Sequence, residues 1–169
     1  MLGDLKSTEL VVADTMNLWI KTERHELGHL LKRIDGLVLN DAEAHLLTEK
    51  DNLVAAAKAV LKMGPKFVVI KKGEHGCIRC NGDDCFVLPA FPAEKVIDPT
   101  GAGDSFAGGM MGYLATQSTC SPATIKRALA FGTVVASYAI ADFSLAGLQS
   151  ATRDELDRRW TDLKQAMSF

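Results

Sequence analysis

Short apolar runs that end on polar residues alternate along this chain with longer stretches whose apolar residues recur every third or fourth position. Runs of the first kind suit buried parallel strands, and stretches of the second kind suit helices lying on a sheet. "ELVVAD" (9–14) and "GLVLN" (36–40) read as strands, and between them "TERHELGHLLKRI" places Leu27, Leu30, Leu31 and Ile34 at helical spacing. A second cycle follows, in which "DNLVAAAKAVLKMGP" carries Leu53, Ala56, Ala57, Val60 and Leu61 on one face, stops at Gly64-Pro65, and leads into the strand "FVVIKK" (67–72). "CIRC" and "CFVLPA" then flank Asn81-Gly82-Asp83-Asp84, the pattern of a β-hairpin near 77–90. Ser121-Pro122 predicts an N-cap and first helical position for an apolar helix running to about Ala141. Thr152 and Glu155 predict a capping box before a charged terminal helix holding Leu156, Trp160 and Leu163. Alternation of this kind defines an α/β domain with a mostly parallel sheet flanked by helices.

The segment "VIDPTGAGDSFAGGMMGYLA" (96–115) departs from that economy. It places Gly101 and Gly103 at the mouth of a helix and then Gly108, Gly109 and Gly112 inside it, although each interior glycine costs about 1 kcal/mol relative to alanine. The first amides of a helix lack intrahelical acceptors and carry the positive end of its dipole, so amides at 101–104 form a potential anion hole for a phosphate. Asp104 beside such a hole has two readings: a first-turn cap, or a general base that takes the proton of an attacking hydroxyl. The interior glycines share a helix face and predict close approach to the sheet or to a nucleotide.

Composition narrows the function classes. With 47% hydrophobic and 24% charged residues over 169 positions, the chain reads as one folded domain, and its net charge of -2 argues against a nucleic-acid partner. No apolar run is long enough to span a bilayer, and acidic Asp4 lies where a signal sequence would be cationic, so the expected location is cytoplasmic, without membrane attachment. Cys77, Cys80 and Cys85 form a Cys-x2-Cys-x4-Cys cluster with His75 close by, open to reading as a metal site or a disulfide. The expectation favoured here is reduced cysteines on two neighbouring strands. Trp19 and Trp160 are expected in packing rather than ligand stacking, and His25, His29 and His45 on exposed helix faces.

The segment "DPTGAGDSFAGG" resembles the carboxy-terminal signature of the PfkB carbohydrate kinases, the ribokinase-like family that includes nucleoside kinases. Asp98, Thr100, Gly101, Ala102, Gly103, Asp104 and Phe106 agree with its D-x-T-G-A-G-D-x-F pattern. Two further segments follow the family in order and spacing. "NDAE" (40–43) resembles the N-x-x-E motif, which implies that Asn40 and Glu43 organise Mg2+ through its waters. "KKGEHG" (71–76) resembles the nucleotide segment, which implies that Lys71, Gly73 and Gly76 run beside ATP, as Thr100 does. The resemblance further implies Asp104 as the base, Gly101, Ala102 and Gly103 as the anion hole, and a monovalent cation, K+ among them, near Asp98.

The implied activity is transfer of the γ-phosphoryl group of Mg-ATP to a hydroxyl of a sugar or nucleoside, and bacterial sugar and nucleoside kinases of the family look most similar. Family members are considerably longer, so the chain is expected to be the carboxy-terminal half of a ribokinase-like domain, without the lid and most of the acceptor pocket. That expectation carries others: feeble phosphorylation by the chain alone, a non-catalytic nucleotide-binding module as the alternative, and a homodimer that covers an exposed sheet edge.

Overall fold

The branched apolar runs form the sheet. In the computed structural model, which describes residues 8–82 and 84–168, the strands β1 (Val12–Asp14), β2 (Gly36–Asn40), β3 (Phe67–Lys71), β4 (Cys77–Asn81) and β5 (Asp84–Leu88) lie side by side in that order. β1, β2 and β3 run parallel, with Gly36 opposite Phe67 and Asn40 opposite Lys71, and β4 returns antiparallel to β3. β2 and β3 are each buried at their first four residues, as strands covered on both faces must be. The hairpin expected near 77–90 is present; its turn residue Asp83 and the acidic Asp4 lie outside the described residues. β1 is shorter than "ELVVAD" predicts, because the Val11 amide donates to Asp35 Oδ2 rather than to a strand partner.

The backbone contacts group into two units, residues 1–87 and 88–169. In the first, α2 (Arg24–Leu31), α3 (Asp41–Thr48) and α4 (Leu53–Leu61) pack Leu27, Leu31, Ala44, Leu47, Ala57 and Val60 onto Leu37, Leu39, Val68 and Ile70. Ahead of them, the short α1 (Asn17–Thr22) buries Ile20 but leaves Leu18 and Trp19 about half exposed. The second unit is built on α5 (Ala102–Ala115) and α6 (Pro122–Ala139), with α7 (Ala146–Ser150) and the terminal α8 (Arg153–Ala166). Ser121 caps α6 by accepting from the Thr124 amide, and the Thr152–Glu155 capping box opens α8. Trp160 packs with Tyr113 and Phe131 in an aromatic cluster.

Two expectations need correction. The three interior glycines of α5 do not act as one close-approach face: Gly109 lies against α6, whereas a Cβ at Gly108 or Gly112 would meet open space. The cysteine cluster is not fully reduced, because Cys80 on β4 and Cys85 on the neighbouring β5 are joined in a disulfide, with their Cα atoms 4.2 Å apart. Cys77 and Cys120 stand outside it. A zinc site on the cluster fails for the same reason, and no metal-competent grouping among the described residues includes these cysteines with His75.

Candidate functional site

Three parallel strands end in polar residues: Asp14 on β1, Asn40 on β2 and Lys71 on β3. The carboxyl ends of parallel strands are where α/β sheets leave a crevice for ligands. Asn40 and Glu43 form a capping box at the start of α3: Asn40 Oδ1 accepts from the Glu43 amide at 2.8 Å, and Glu43 Oε2 accepts from the Asn40 amide at 2.8 Å. These two residues therefore cap α3, and the box leaves Glu43 Oε1 outside it. Glu43 is only 6% exposed. Burial pushes its carboxyl above the ordinary range and the charges of Asp14 and Asp41 add to that, against the Asn40 amide and Lys71.

Lys71 Nζ donates to Asp14 Oδ2 at 2.9 Å, reaching from β3 past β2 to β1. Asp14 was not among the residues singled out from the sequence. Its signal was the polar end of the "VVAD" run, and its neighbours only emerge from the strand order. Gly73 and Gly76 bracket a single 3₁₀ turn after β3, both at positive φ, and the Lys72 amide donates to the Gly76 carbonyl at 2.7 Å to close it.

In the second unit, the turn into α5 is built from Asp98 to Asp104. The Thr100 amide donates to Asp98 Oδ1 at 2.9 Å. The Thr100 hydroxyl, that amide and the Ser144 amide together hold the Asp98 carboxyl below its usual range. Gly101, with φ of 78°, is the N-cap of α5, a left-handed conformation that side chains other than glycine adopt with strain. The Ala102 amide donates to the Pro99 carbonyl at 3.2 Å, and Ser105 starts the helical ladder on Gly101. Among the described residues, the amides of Gly103 and Asp104 meet no backbone or side-chain acceptor. Of the amides expected to form an anion hole at 101–104, that of Ala102 is already engaged. Asp104 is exposed in the first turn and makes no side-chain cap.

Polar residues at the carboxyl ends of parallel strands, in the first unit, and a glycine turn at a helix start, in the second, are each features with which α/β proteins hold nucleotides. Residues 6–151 match the pfkB family of carbohydrate kinases, and the chain belongs to that family. It is 34% identical over 127 residues to the bifunctional ribokinase/ribose-5-phosphate isomerase A of Fructilactobacillus sanfranciscensis, covering 72% of this chain and 22% of that protein. To the cytidine kinase of Thermococcus kodakarensis it is 37% identical over 93 residues, 53% of this chain and 33% of that one. The aminoimidazole riboside kinase of Salmonella enterica, solved with aminoimidazole riboside and an ATP analogue, superposes with a TM-score of 0.76 at 21% identity, over 89% of this chain and 52% of that one. The fold is ribokinase-like, and the chain spans about half the length of that kinase structure. No helix among the described residues is long and apolar enough to cross a membrane.

Proposed function

We propose that this chain supplies the nucleotide-binding and proton-accepting part of an ATP-dependent kinase acting on a hydroxyl of a sugar or nucleoside. The observation that carries the reading is the start of α5: Gly101 turns the backbone, the Gly103 and Asp104 amides have no acceptor among the described residues, and the Asp104 carboxylate stands exposed beside them. Phosphoryl transfer demands little covalent chemistry of a protein and depends on positioning and on donors aimed at the phosphoryl oxygens. Bound Mg-ATP supplies the transferred group and part of the charge neutralisation. The amides at 101, 103 and 104 would hold the terminal phosphoryl oxygens, reinforced by the α5 dipole. Asp104 would accept the proton of the attacking hydroxyl and fix its direction.

Mg2+ fits the first unit on chemical grounds. Glu43 keeps one carboxylate oxygen outside its capping box, and the negative charges of Asp14 and Asp41 that crowd it are those a divalent cation offsets. Asn40 and Glu43 would hold the ion through water, while Lys71, Gly73 and Gly76 of the same unit would border the nucleotide. Asp98, kept in its charged form by Thr100 and Ser144, suits a monovalent cation such as K+.

Calorimetric titration with Mg-ATP, paired with a product assay over a panel of sugars and nucleosides, tests the reading. In the intact kinase, Asp104→Asn is expected to retain Mg-ATP binding while kcat falls about 100-fold or more. Undiminished turnover in that variant would remove Asp104 as the base. Nucleotide binding with no product from any acceptor would favour a non-catalytic nucleotide-binding module.

A further inference from the structure

We propose that His25, Glu26 and His29 form a binding site for one late first-row divalent cation, of the zinc, nickel or copper class, on the outer face of α2. The two histidines stand one helical turn apart, the spacing that puts imidazoles on one face of a helix. Their rings meet edge to face with centroids 4.5 Å apart, and one ligand atom from each of the three side chains lies within 4.8 Å of the others. His25 Nδ1 and Glu26 Oε1 are 3.4 Å apart. Two ligands bound to one zinc ion at about 2.1 Å in tetrahedral geometry stand about 3.4 Å apart, so this pair already has a chelating separation. Gly28, between the histidines, presents open space and lines a cavity of about 350 Å³ beside them, which leaves the remaining coordination positions to water or an exogenous ligand. His25 and Glu26 are exposed, at 83% and 73% of their side chains, so no burial opposes their reorientation around an ion.

The donor set decides the metal class. Two imidazoles and a carboxylate suit zinc, copper and nickel, whereas Mg2+ takes oxygen ligands. The site is therefore chemically distinct from the Mg2+ position proposed at Glu43. The charges that face it are cationic. Arg24, Lys32 and Lys62 all line the same cavity and oppose a bound cation, although Arg24 is also held by the Leu47 carbonyl at 2.7 Å and by Glu49.

The test is titration of the chelator-treated full chain, disulfide intact, with Zn2+ and Ni2+, and with Co2+ for its visible spectrum. A saturable one-to-one phase that excess Mg2+ does not displace is expected, with no thiolate charge-transfer band in the Co2+ form. That phase should disappear in His25→Gln and in His29→Gln, weaken in Glu26→Gln, tighten several-fold in Lys62→Glu, and persist in His75→Gln. Because His25 is exposed and Gln is a good helix residue, circular dichroism should report an unchanged fold in the His25→Gln variant. Absence of a saturable phase, an unchanged phase in His29→Gln, or a thiolate band would overturn the proposal. Mg-ATP binding should be the same in wild type and His29→Gln, which keeps the outcome separate from that of the kinase reading.

Discussion

Gly109 of α5 and Gly132 of α6 bring their two helices into near backbone contact: a Cβ built on Gly109 would fall 3.1 Å from the Gly132 Cα and 2.8 Å from the Val135 side chain. From the other helix, a Cβ on Gly132 would fall 2.5 Å from the Phe106 carbonyl oxygen, a backbone atom that cannot swing aside. Interiors packed to crystal density do not absorb such an overlap without moving the helix. The position of α5, and with it the glycine turn at its start, depends on these two residues.

The glycines at the α5–α6 contact and those facing open space should therefore respond to alanine with opposite signs. Gly132→Ala is expected to destabilise by about 2 kcal/mol or more, and Gly109→Ala by somewhat less, since Val135 can rearrange. Gly108→Ala and Gly112→Ala meet open space and should stabilise by about 0.5–1 kcal/mol through helix propensity alone. Urea unfolding of the four variants measures this. A destabilised Gly108→Ala would show that its face is covered.

Arg79 on β4 is 2% exposed, with Nε and Nη1 buried and without hydrogen-bond partners among the described residues, over the Phe67 ring at 5.7 Å and 3.9 Å from Asp84. Burial pulls its guanidinium below the usual range, against the pull of Asp84. Asp84→Asn removes the compensating charge and should cost about 1–2 kcal/mol, a modest figure because Asp84 itself is 58% exposed. Arg79→Met keeps the volume and removes the buried charge, so it is expected to be neutral or stabilising by about 1 kcal/mol. A large loss in Arg79→Met, measured by thermal unfolding, would refute this account.

How much of this was readable beforehand depends on the range of the interactions. β2 and β3 announce themselves as continuous apolar runs, and the caps at Ser121 and Thr152 are local patterns that the structure reproduces. α1 and α7 were not anticipated because Met16 and Leu145 at their starts make no side-chain cap, so no local signal marks them. The Lys71–Asp14 pair joins residues 57 positions apart and exists only once β1 and β3 flank β2. Of three clustered cysteines, the choice of Cys80 and Cys85 likewise follows from strand neighbours and not from spacing. The glycine turn at a helix start was legible because its signal is local, whereas the engagement of the Ala102 amide by Pro99 was not.

Glu43 should make stability depend on pH. Its carboxyl titrates above the ordinary value of 4.5 in the folded chain, chiefly through burial. A group whose folded pKa is raised favours folding fully below the unfolded value, and that contribution is lost as pH rises through the folded one. Glu43→Gln preserves the capping geometry and removes the titration. The difference in Tm between wild type and Glu43→Gln is therefore expected to move against the wild type as pH rises from about 4 through the acid range and then to level off. A difference that stays constant with pH would mean that Glu43 is not held in a desolvated site.

The disulfide and the buried thiol give the last expectation. Cys80–Cys85 closes a short loop, since the two residues are 5 apart, and cross-links of that span stabilise by about 2 kcal/mol through the unfolded state. Cys77 is buried and its thiol is pushed up to about 12 by desolvation, so its reactive thiolate is scarce at neutral pH. Alkylation of the native, unreduced chain should leave Cys77, Cys80 and Cys85 unmodified. After mild reduction the exposed Cys85 should be labelled first, the buried Cys80 and Cys77 following only on unfolding. Thermal unfolding of the reduced chain should come at lower temperature than that of the oxidised chain. Labelling of Cys85 before reduction would show that the bond does not form, and an unchanged Tm on reduction would show that it adds nothing to the hairpin.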